Sequence, residues 1–244
     1  MTKLYDANDH VIIHTGYSDP VMHCHKGSHI IVSLGGHIRV TTDHNFCSCR
    51  GIMIPSGIAH QIDTDHKPVL VFLYDSTTHI SRSIKTLQSL PDVHCSNIVK
   101  LYADWEKNGQ LTQYSALDHY IRTLIIPSEN EIPVIDHRIT AAKTYIQTSC
   151  TEHLSCRDVA STIYLSSGRF SHLFHQQAGM TFASYLIYQR LMLAYKAIIQ
   201  GYSFTEAALS AGFSSSSHFS DVNRRIFGLR PRIFFKDLIY EKLT

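Results

Sequence analysis

The feature that most constrains the fold is a pattern of two short helices and a tight turn, which occurs twice in the C-terminal half. In LSCRDVASTIYLSSGRFSHLF, Ser155 and Ser166 are each placed to cap a helix. Only residues 163–165 are left for the turn, and the small Ala160 lies where the helices would cross. The spacing therefore predicts two short helices that pack closely against each other.

The same pattern returns further along the chain in SFTEAALSAGFSSSSHFSDVNRRIFG. Ser203 and Glu206 have the S-x-x-E spacing of a capping box, Gly212 can form the turn, and Ser214 is expected to start the next helix. One long apolar helix, FASYLIYQRLMLAYKAII, is predicted between the two stretches. Helix pairs of this kind form the helix-turn-helix motif, whose second helix enters the DNA major groove. The C-terminal half is therefore predicted to bind DNA.

This half resembles the DNA-binding domain of the AraC/XylS family of transcription regulators over residues 136–238. The positions that carry the resemblance are mostly small or apolar: Ala160, Phe170, Leu173, Phe174, Gly179, Phe182, Tyr185, Arg190, Ala194, Ala207, Gly212, Phe213, Phe219, Phe227, Gly228 and Pro231. The resemblance implies two recognition helices in successive major grooves of double-stranded DNA. It also implies a role in activating or repressing promoters, with RNA polymerase as a partner.

Carried over position by position, the resemblance assigns DNA contacts to both recognition helices. The base-reading residues of the first helix would be Gly168, Ser171 and His172, with Arg169 beside them. Those of the second would be Ser216, Ser217, His218 and Ser220, with Arg224 and Arg225 nearer the phosphates. For each serine, helix capping and solvation is an equally weighted alternative.

Two departures from the family pattern stand out in the first motif. Tyr164 occupies the turn position that is usually Gly, and His172 and His175 replace basic residues of the recognition helix. Because histidine carries less permanent charge than Arg or Lys, DNA binding is expected to be weaker or more sensitive to pH.

The N-terminal half has a different pattern. From Val11 to about Tyr74, short runs rich in Val and Ile alternate with turn residues, which predicts strands of a sandwich or barrel. Residues 80–126 have helical spacing, and PSENEIP at 127–133 is predicted to be a linker. We therefore expect an α+β multidomain chain with a sensor barrel at 1–79, a helical dimerisation and relay segment at 80–126, and the DNA-binding domain at 134–244.

Histidine is unusually abundant, with 17 residues in the chain, of which ten lie in the first 79. His23, His25 and His29 are all odd-numbered, so an unbroken strand would project them from one face. His60 follows a Pro-Ser-Gly turn. Such a group is a candidate metal site, since imidazole is a common metal ligand.

These residues resemble the two motifs of the cupin superfamily, which AraC-type regulators often carry as a sensor domain. The first motif is present as Gly16, His23, His25, His29 and Gly36, and the second as Gly51, Pro55, Gly57 and His60. His29 stands where metal-binding cupins usually have Glu. An all-nitrogen site favours Zn or Ni, then Co or Cu, over Mg, Ca or Mn.

Two alternatives to metal sensing remain open at this point. The histidines could line a pocket for an organic effector without metal, or the barrel could be a metalloenzyme with a regulatory appendage. Fusion to a DNA-binding half favours sensing over turnover, so the protein is not expected to be an enzyme.

Charge and composition agree with this division. Residues 1–133 carry 10 Lys and Arg against 13 Asp and Glu, whereas residues 134–244 carry 12 against 7, so only the second half suits a polyanion. The sequence shows no signal-peptide or membrane-helix pattern, so a cytoplasmic location and free thiols at the six cysteines are expected. A homodimer would double the DNA contacts and bind two half-sites.

Overall fold

A computed structural model describes residues 2–7, 10–16, 21–24, 27–43, 45–74, 78–109, 111–126, 136–178, 181–227 and 238–243. The chain divides into two compact units, of which the first comprises residues 1–132, 225–228 and 232–244 and the second residues 133–224 and 229–231. The predicted linker at 127–133 lies outside the described residues. The first unit combines sheets with helices and the second is helical, which agrees with the predicted α+β class.

The strands of the first unit form two sheets. They are β1 (Thr2–Asp6), β2 (His10–Thr15), β3 (Ser28–Ser33), β4 (Ile38–Thr42), β5 (Phe46–Cys49), β6 (Gly51–Ile54), β7 (His60–Asp63), β8 (Val69–Tyr74), β9 (Gln88–Ser89) and β10 (Leu238–Lys242). The larger sheet has the order β10-β1-β2-β8-β3-β6-β9 and the smaller one β5-β4-β7. Every residue of β3 and β8 is buried, because both strands lie inside the larger sheet, although β3 also carries the polar residues Ser28, His29 and Ser33. The expectation of a closed cupin-like barrel is not confirmed, because the described strands form two open sheets.

The last strand of the chain belongs to the first unit. β10 runs parallel to β1, in a register that pairs Thr2 with Leu238 and Asp6 with Lys242. The Leu243 amide donates to the Asp6 carbonyl at 2.8 Å, and the Leu243 side chain is only 4% exposed. From the sequence this segment is predicted to be part of the DNA-binding domain, because a pairing between the two ends of a chain leaves no local signal.

Three helices complete the first unit: α1 (His79–Ser83), α2 (Asp92–Asn108) and α3 (Leu111–Ile125). Cys95, Ile98, Tyr102 and Trp105 form the buried stripe of α2. Their spacing of three to four residues keeps them on one face, and they share a core with residues from the large sheet. Gly109 ends α2 with a φ of 64°, a left-handed conformation that glycine adopts without strain.

The second unit is built from six described helices. They are α4 (His137–Ser149), α5 (Cys156–Thr162), α6 (Ser167–Ala178), α7 (Phe182–Ile199), α8 (Phe204–Ser210) and α9 (Ser216–Phe227). The predicted apolar face of α4, Ile139, Ala142 and Ile146, is buried. Arg190 of α7 donates from Nε to the Cys150 carbonyl at 2.8 Å, so the long central helix holds the end of α4 in place.

No helix in the described ranges has the length and apolar character needed to cross a membrane. All six cysteines are free thiols, as the sequence led us to expect.

Candidate functional site

The first helix-turn-helix motif consists of α5 and α6. Ser155 and Asp158 form a capping box at the start of α5, and Ser166 caps α6 by accepting from the Arg169 amide at 3.3 Å. The turn closes with a bond from the Leu165 amide to the Ala160 carbonyl at 2.9 Å. Both predicted caps and the tight turn are therefore present.

The second helix-turn-helix motif consists of α8 and α9 and repeats this construction with one difference. Ser203 and Glu206 form the predicted capping box, and the Phe213 amide donates to the Ala208 carbonyl at 2.9 Å. The prediction that Ser214 starts the next helix is wrong by two residues, because α9 begins at Ser216. Ser215 is the cap, since its Oγ accepts from the His218 amide at 3.0 Å.

Ser214 instead lies 3.0 Å from the ring of His218, measured from Oγ to Nδ1. The second connection thus contains one residue more than the first. In a run of four serines, any of which could cap a helix, the local sequence does not distinguish the neighbours.

The two recognition helices, α6 and α9, each have one buried and one exposed face. Phe170 and Phe174 of α6, and Phe219 and Val222 of α9, are buried. Most of the predicted DNA contacts are exposed: Gly168, Arg169, Ser171, His172, Ser217, His218, Arg224 and Arg225. Ser216 and Ser220 are half-buried.

The three arginines of these helices, Arg169, Arg224 and Arg225, form no ion pair with any described residue. Their charges are therefore not neutralised within the described parts of the chain, as contact with phosphate requires. Phe227 lies at the end of α9, and the positions Gly179, Gly228 and Pro231 that carry part of the resemblance lie outside the described residues.

Two of the predicted base-reading serines already have hydrogen-bond partners within the second compact unit. Ser171 Oγ lies 3.1 Å from Cys156 Sγ, and Ser220 donates to the Ser216 carbonyl at 2.9 Å. The second bond fits the capping and solvation alternative for Ser220. Cys156 is not among the predicted site residues, because its contact with α6 depends on how α5 crosses that helix.

In the first unit, the structure brings together three of the four predicted cupin histidines. The ring centroids of His23 and His60 lie 4.5 Å apart, and those of His29 and His60 lie 4.7 Å apart. The backbones of His23 and His60 exchange hydrogen bonds of 3.0 and 2.9 Å, while His29 is held by β3. His25 lies outside the described residues. His23, His29 and His60 are called the histidine cluster below.

Burial favours the neutral form of two rings of this cluster, those of His23 and His60. Desolvation lowers the pKa of His60 to about 4, and desolvation also lowers the pKa of His23. His60 Nδ1 lies 2.8 Å from the Ile58 carbonyl and His23 Nδ1 lies 2.7 Å from the Val21 carbonyl. A carbonyl can only accept, so each Nδ1 donates, and Nε2 is the nitrogen that carries the lone pair.

This protonation state suits a metal ligand, because metals bind neutral imidazole whose other nitrogen is held by an outer hydrogen bond. Even so, no group of three or more His, Cys, Asp or Glu side chains within the described ranges is arranged to hold a metal ion. The donor chemistry of the histidine cluster fits a metal, while a complete ligand set needs a further donor or a change in ring positions.

Comparison with known proteins places the relationship in the helical half. Residues 159–237 match the family described as a helix-turn-helix domain. Regulatory protein PocR of Salmonella typhimurium is 31% identical over 41% of this chain and 33% of its own length. A transcriptional regulator of Chromobacterium violaceum, described as containing an AraC-type DNA-binding domain, is 30% identical over 40% of this chain and 88% of its own, with a TM-score of 0.39.

The curated relatives are matched over only 33% to 44% of their own length. A likeness over both units comes from solved structures of ToxT from Vibrio cholerae. An apo form has a TM-score of 0.63 at 10% identity and covers 94% of this chain and 98% of its own. A form described as bound to an unsaturated fatty acid has a TM-score of 0.54 at 11% identity, covering 94% and 96%. This likeness extends the shared fold to the first unit.

Proposed function

We propose that the whole protein is a sequence-specific regulator with a sensor in its first unit. The premise is that its C-terminal domain belongs to the AraC family of DNA-binding transcription regulators. The observation that carries the proposal is the pair of recognition helices, α6 and α9. Each buries its aromatic side and exposes the side that bears the predicted contacts. A helix that enters the major groove needs this division between core and reading face.

The test is the DNA sequence that the protein selects from a random pool. Arg169→Ala and His218→Ala should each change the preferred bases at some positions and weaken binding to the wild-type sequence by about tenfold. Arg224→Ala should weaken binding to all sequences alike and reduce the salt dependence of log K by about one.

Arg39→Ala is a matched control, because it removes an exposed positive charge from β4 in the first unit, away from α2 and α3. It should leave affinity and sequence preference unchanged. If Arg169→Ala and His218→Ala select the same sequence as the wild type with the same affinity, the assigned reading face is wrong.

For the sensor, we propose that the histidine cluster and His25 bind a transition metal, with Zn or Ni preferred over Co or Cu. Neutral imidazoles with fixed Nδ1 protons support this choice. When bound, the metal would hold the segments that carry these histidines in one arrangement. An effector shifts an equilibrium only by binding the two states differently, so the DNA-binding state must differ in this arrangement.

Elemental analysis of protein purified without a histidine tag tests the metal. We expect close to one Zn or Ni per chain, and its loss when His23→Ala is combined with His25→Ala. His119→Ala removes an exposed histidine of α3 and should keep the metal. A wild-type protein without stoichiometric metal would overturn this part of the proposal and leave the DNA-binding part standing.

A metal-free organic effector is the second candidate. The description of ToxT bound to an unsaturated fatty acid favours it, since that protein shares the fold over both units. Both candidates predict a change in DNA affinity on adding the effector, but only the metal predicts sensitivity to a chelator.

We also propose a homodimer formed through α2 and α3, and contact with RNA polymerase at the promoter. Val93 and Leu111, large apolar residues of these helices, are 61% and 52% exposed. Light scattering should give the mass of two chains, and Val93→Asp combined with Leu111→Asp should give the mass of one.

A further inference from the structure

We propose that two thiols of β5, those of Cys47 and Cys49, bind one soft monovalent metal cation, Cu(I). The two residues are two positions apart on one strand, so their side chains leave the same face of the sheet. The site is separate from the histidine cluster. Between β5 and β7, the strand that begins at His60, lies β4, so two strand spacings of about 4.8 Å each divide the thiols from that histidine.

Both thiols lie on the buried face of the smaller sheet. Cys47 is opposite Val40 and Cys49 is opposite Ile38 on β4, and these two neighbours are 1% and 0% exposed. Phe46, which belongs to the other face, is exposed. Cys49 is itself buried, whereas Cys47 is half-buried. The pair is therefore shielded from water, while a small cation can reach it from the side of Cys47.

The two thiols are also in contact with each other. A hydrogen bond joins the side chains of Cys47 and Cys49, and burial together with this close neighbour raises the pKa of the Cys49 thiol to about 12. Two thiolates side by side in such surroundings repel each other and lack the hydration that would stabilise them. A cation bound between them supplies the missing positive charge.

The number of donors selects the metal. Zn(II) sites in proteins use three or four protein ligands, and no described His, Cys, Asp or Glu side chain completes a set of three with this pair. Soft thiolates select Cu(I), an ion that two opposite sulfur ligands suffice to hold. Two collinear metal–sulfur bonds of about 2.3 Å each place the sulfurs about 4.6 Å apart, which two side chains on one strand face can match.

The same spacing favours a bridging cation over a disulfide. An extended strand advances about 3.4 Å per residue, which puts the two Cα atoms about 6.8 Å apart, at the upper limit for a disulfide. Both residues are free thiols. Cation binding needs no oxidant, because each S–H releases its proton to solvent, two S–Cu bonds form, and copper stays Cu(I).

The test is a competition for Cu(I) between the full chain and bicinchoninate, a chelator that is coloured when it holds Cu(I). Ascorbate and the exclusion of oxygen keep the copper reduced. We expect one Cu(I) per chain to be withheld from the chelator, and X-ray absorption should show two sulfur ligands. Cys47→Ser should weaken binding by more than about a hundredfold, because even the outer partners of metal ligands are worth about 10–100-fold.

Cys156→Ser is the matched control, since it removes another half-buried free thiol, in the second unit, and should keep the copper. Cys49→Ala should lose the copper as Cys47→Ser does, and the fluorescence of the buried Trp105 shows whether the first unit remains folded. If Cys49→Ala does not fold, Cys47→Ser at the half-buried position decides the matter.

Three results would overturn the proposal. The wild-type chain could yield all its copper to the chelator, or Cys47→Ser could bind copper as tightly as the wild type. Nitrogen ligands in the X-ray absorption spectrum would instead place the copper at the histidine cluster. None of these measurements involves DNA, so they are independent of whether the protein binds an operator.

Discussion

At the scale of single residues, the two helix-turn-helix turns adopt the same backbone conformation with very different residues. Gly212 has a φ of 83° and Tyr164 a φ of 55°. Glycine takes this left-handed conformation freely, whereas a residue with a Cβ is strained by about 1 kcal/mol or more. The Tyr164 side chain is 97% exposed, so packing within its unit offsets little of this strain.

Replacing Tyr164 with Gly should therefore stabilise the second unit by about 1 kcal/mol. Urea unfolding followed by circular dichroism at the helical band measures the change. Tyr164→Ala is the matched control, because it removes the aromatic ring but keeps the Cβ, and it should give little or no gain. Equal gains from Gly and Ala would show that the ring, and not the backbone, is the cause.

At the scale of elements, the start of α9 depends on which of several neighbouring serines accepts the first free amides. Ser215 accepts from the His218 amide, whereas Ser214 contacts the His218 ring. An unsatisfied amide at a helix start costs more than a lost contact at an exposed side chain.

Ser215→Ala should thus lower the unfolding free energy of the second unit by about 1 kcal/mol, and Ser214→Ala by clearly less. The same circular dichroism experiment compares the two variants directly. The reverse order of effects would show that Ser214, and not Ser215, caps α9.

These elements also show which features of the structure can be predicted from the sequence. Both helix pairs, both capping boxes and the Gly212 turn were predictable, because each depends on residues within a few positions of one another. The pairing of β10 with β1 was not predictable, because the two strands come from opposite ends of the chain. The histidine cluster lies between these cases, since the cupin resemblance named its members while only the structure brings His29 and His23 around His60.

At the scale of the whole molecule, the two ends of the chain share one sheet. Leu243 belongs to the core of the first unit together with residues such as Phe72 and Trp105. Tyr240 adds a hydrogen bond of 2.9 Å from its hydroxyl to Asp6 Oδ2. The stability of the first unit therefore depends on residues that come after the helix-turn-helix motifs in the sequence.

Leu243→Ala should lower the unfolding free energy of the first unit by about 2–3 kcal/mol, since it leaves a cavity in a buried core. Trp105 is the one tryptophan of the chain and is 3% exposed in this unit, so its fluorescence reports on the first unit alone. Ile239→Ala removes a side chain that is 47% exposed and should cost much less. Equal losses of unfolding free energy in Leu243→Ala and Ile239→Ala would mean that burial of the Leu243 side chain adds no stability.

The parallel strand at the end of the chain also limits how the protein can be divided for experiments. A fragment cut at the linker would carry β1 without β10, and would present its unpaired backbone groups as a bare sheet edge. Such an edge pairs readily with other chains and promotes aggregation. An isolated first unit should therefore be made by joining the residues of β10 to the N-terminal piece.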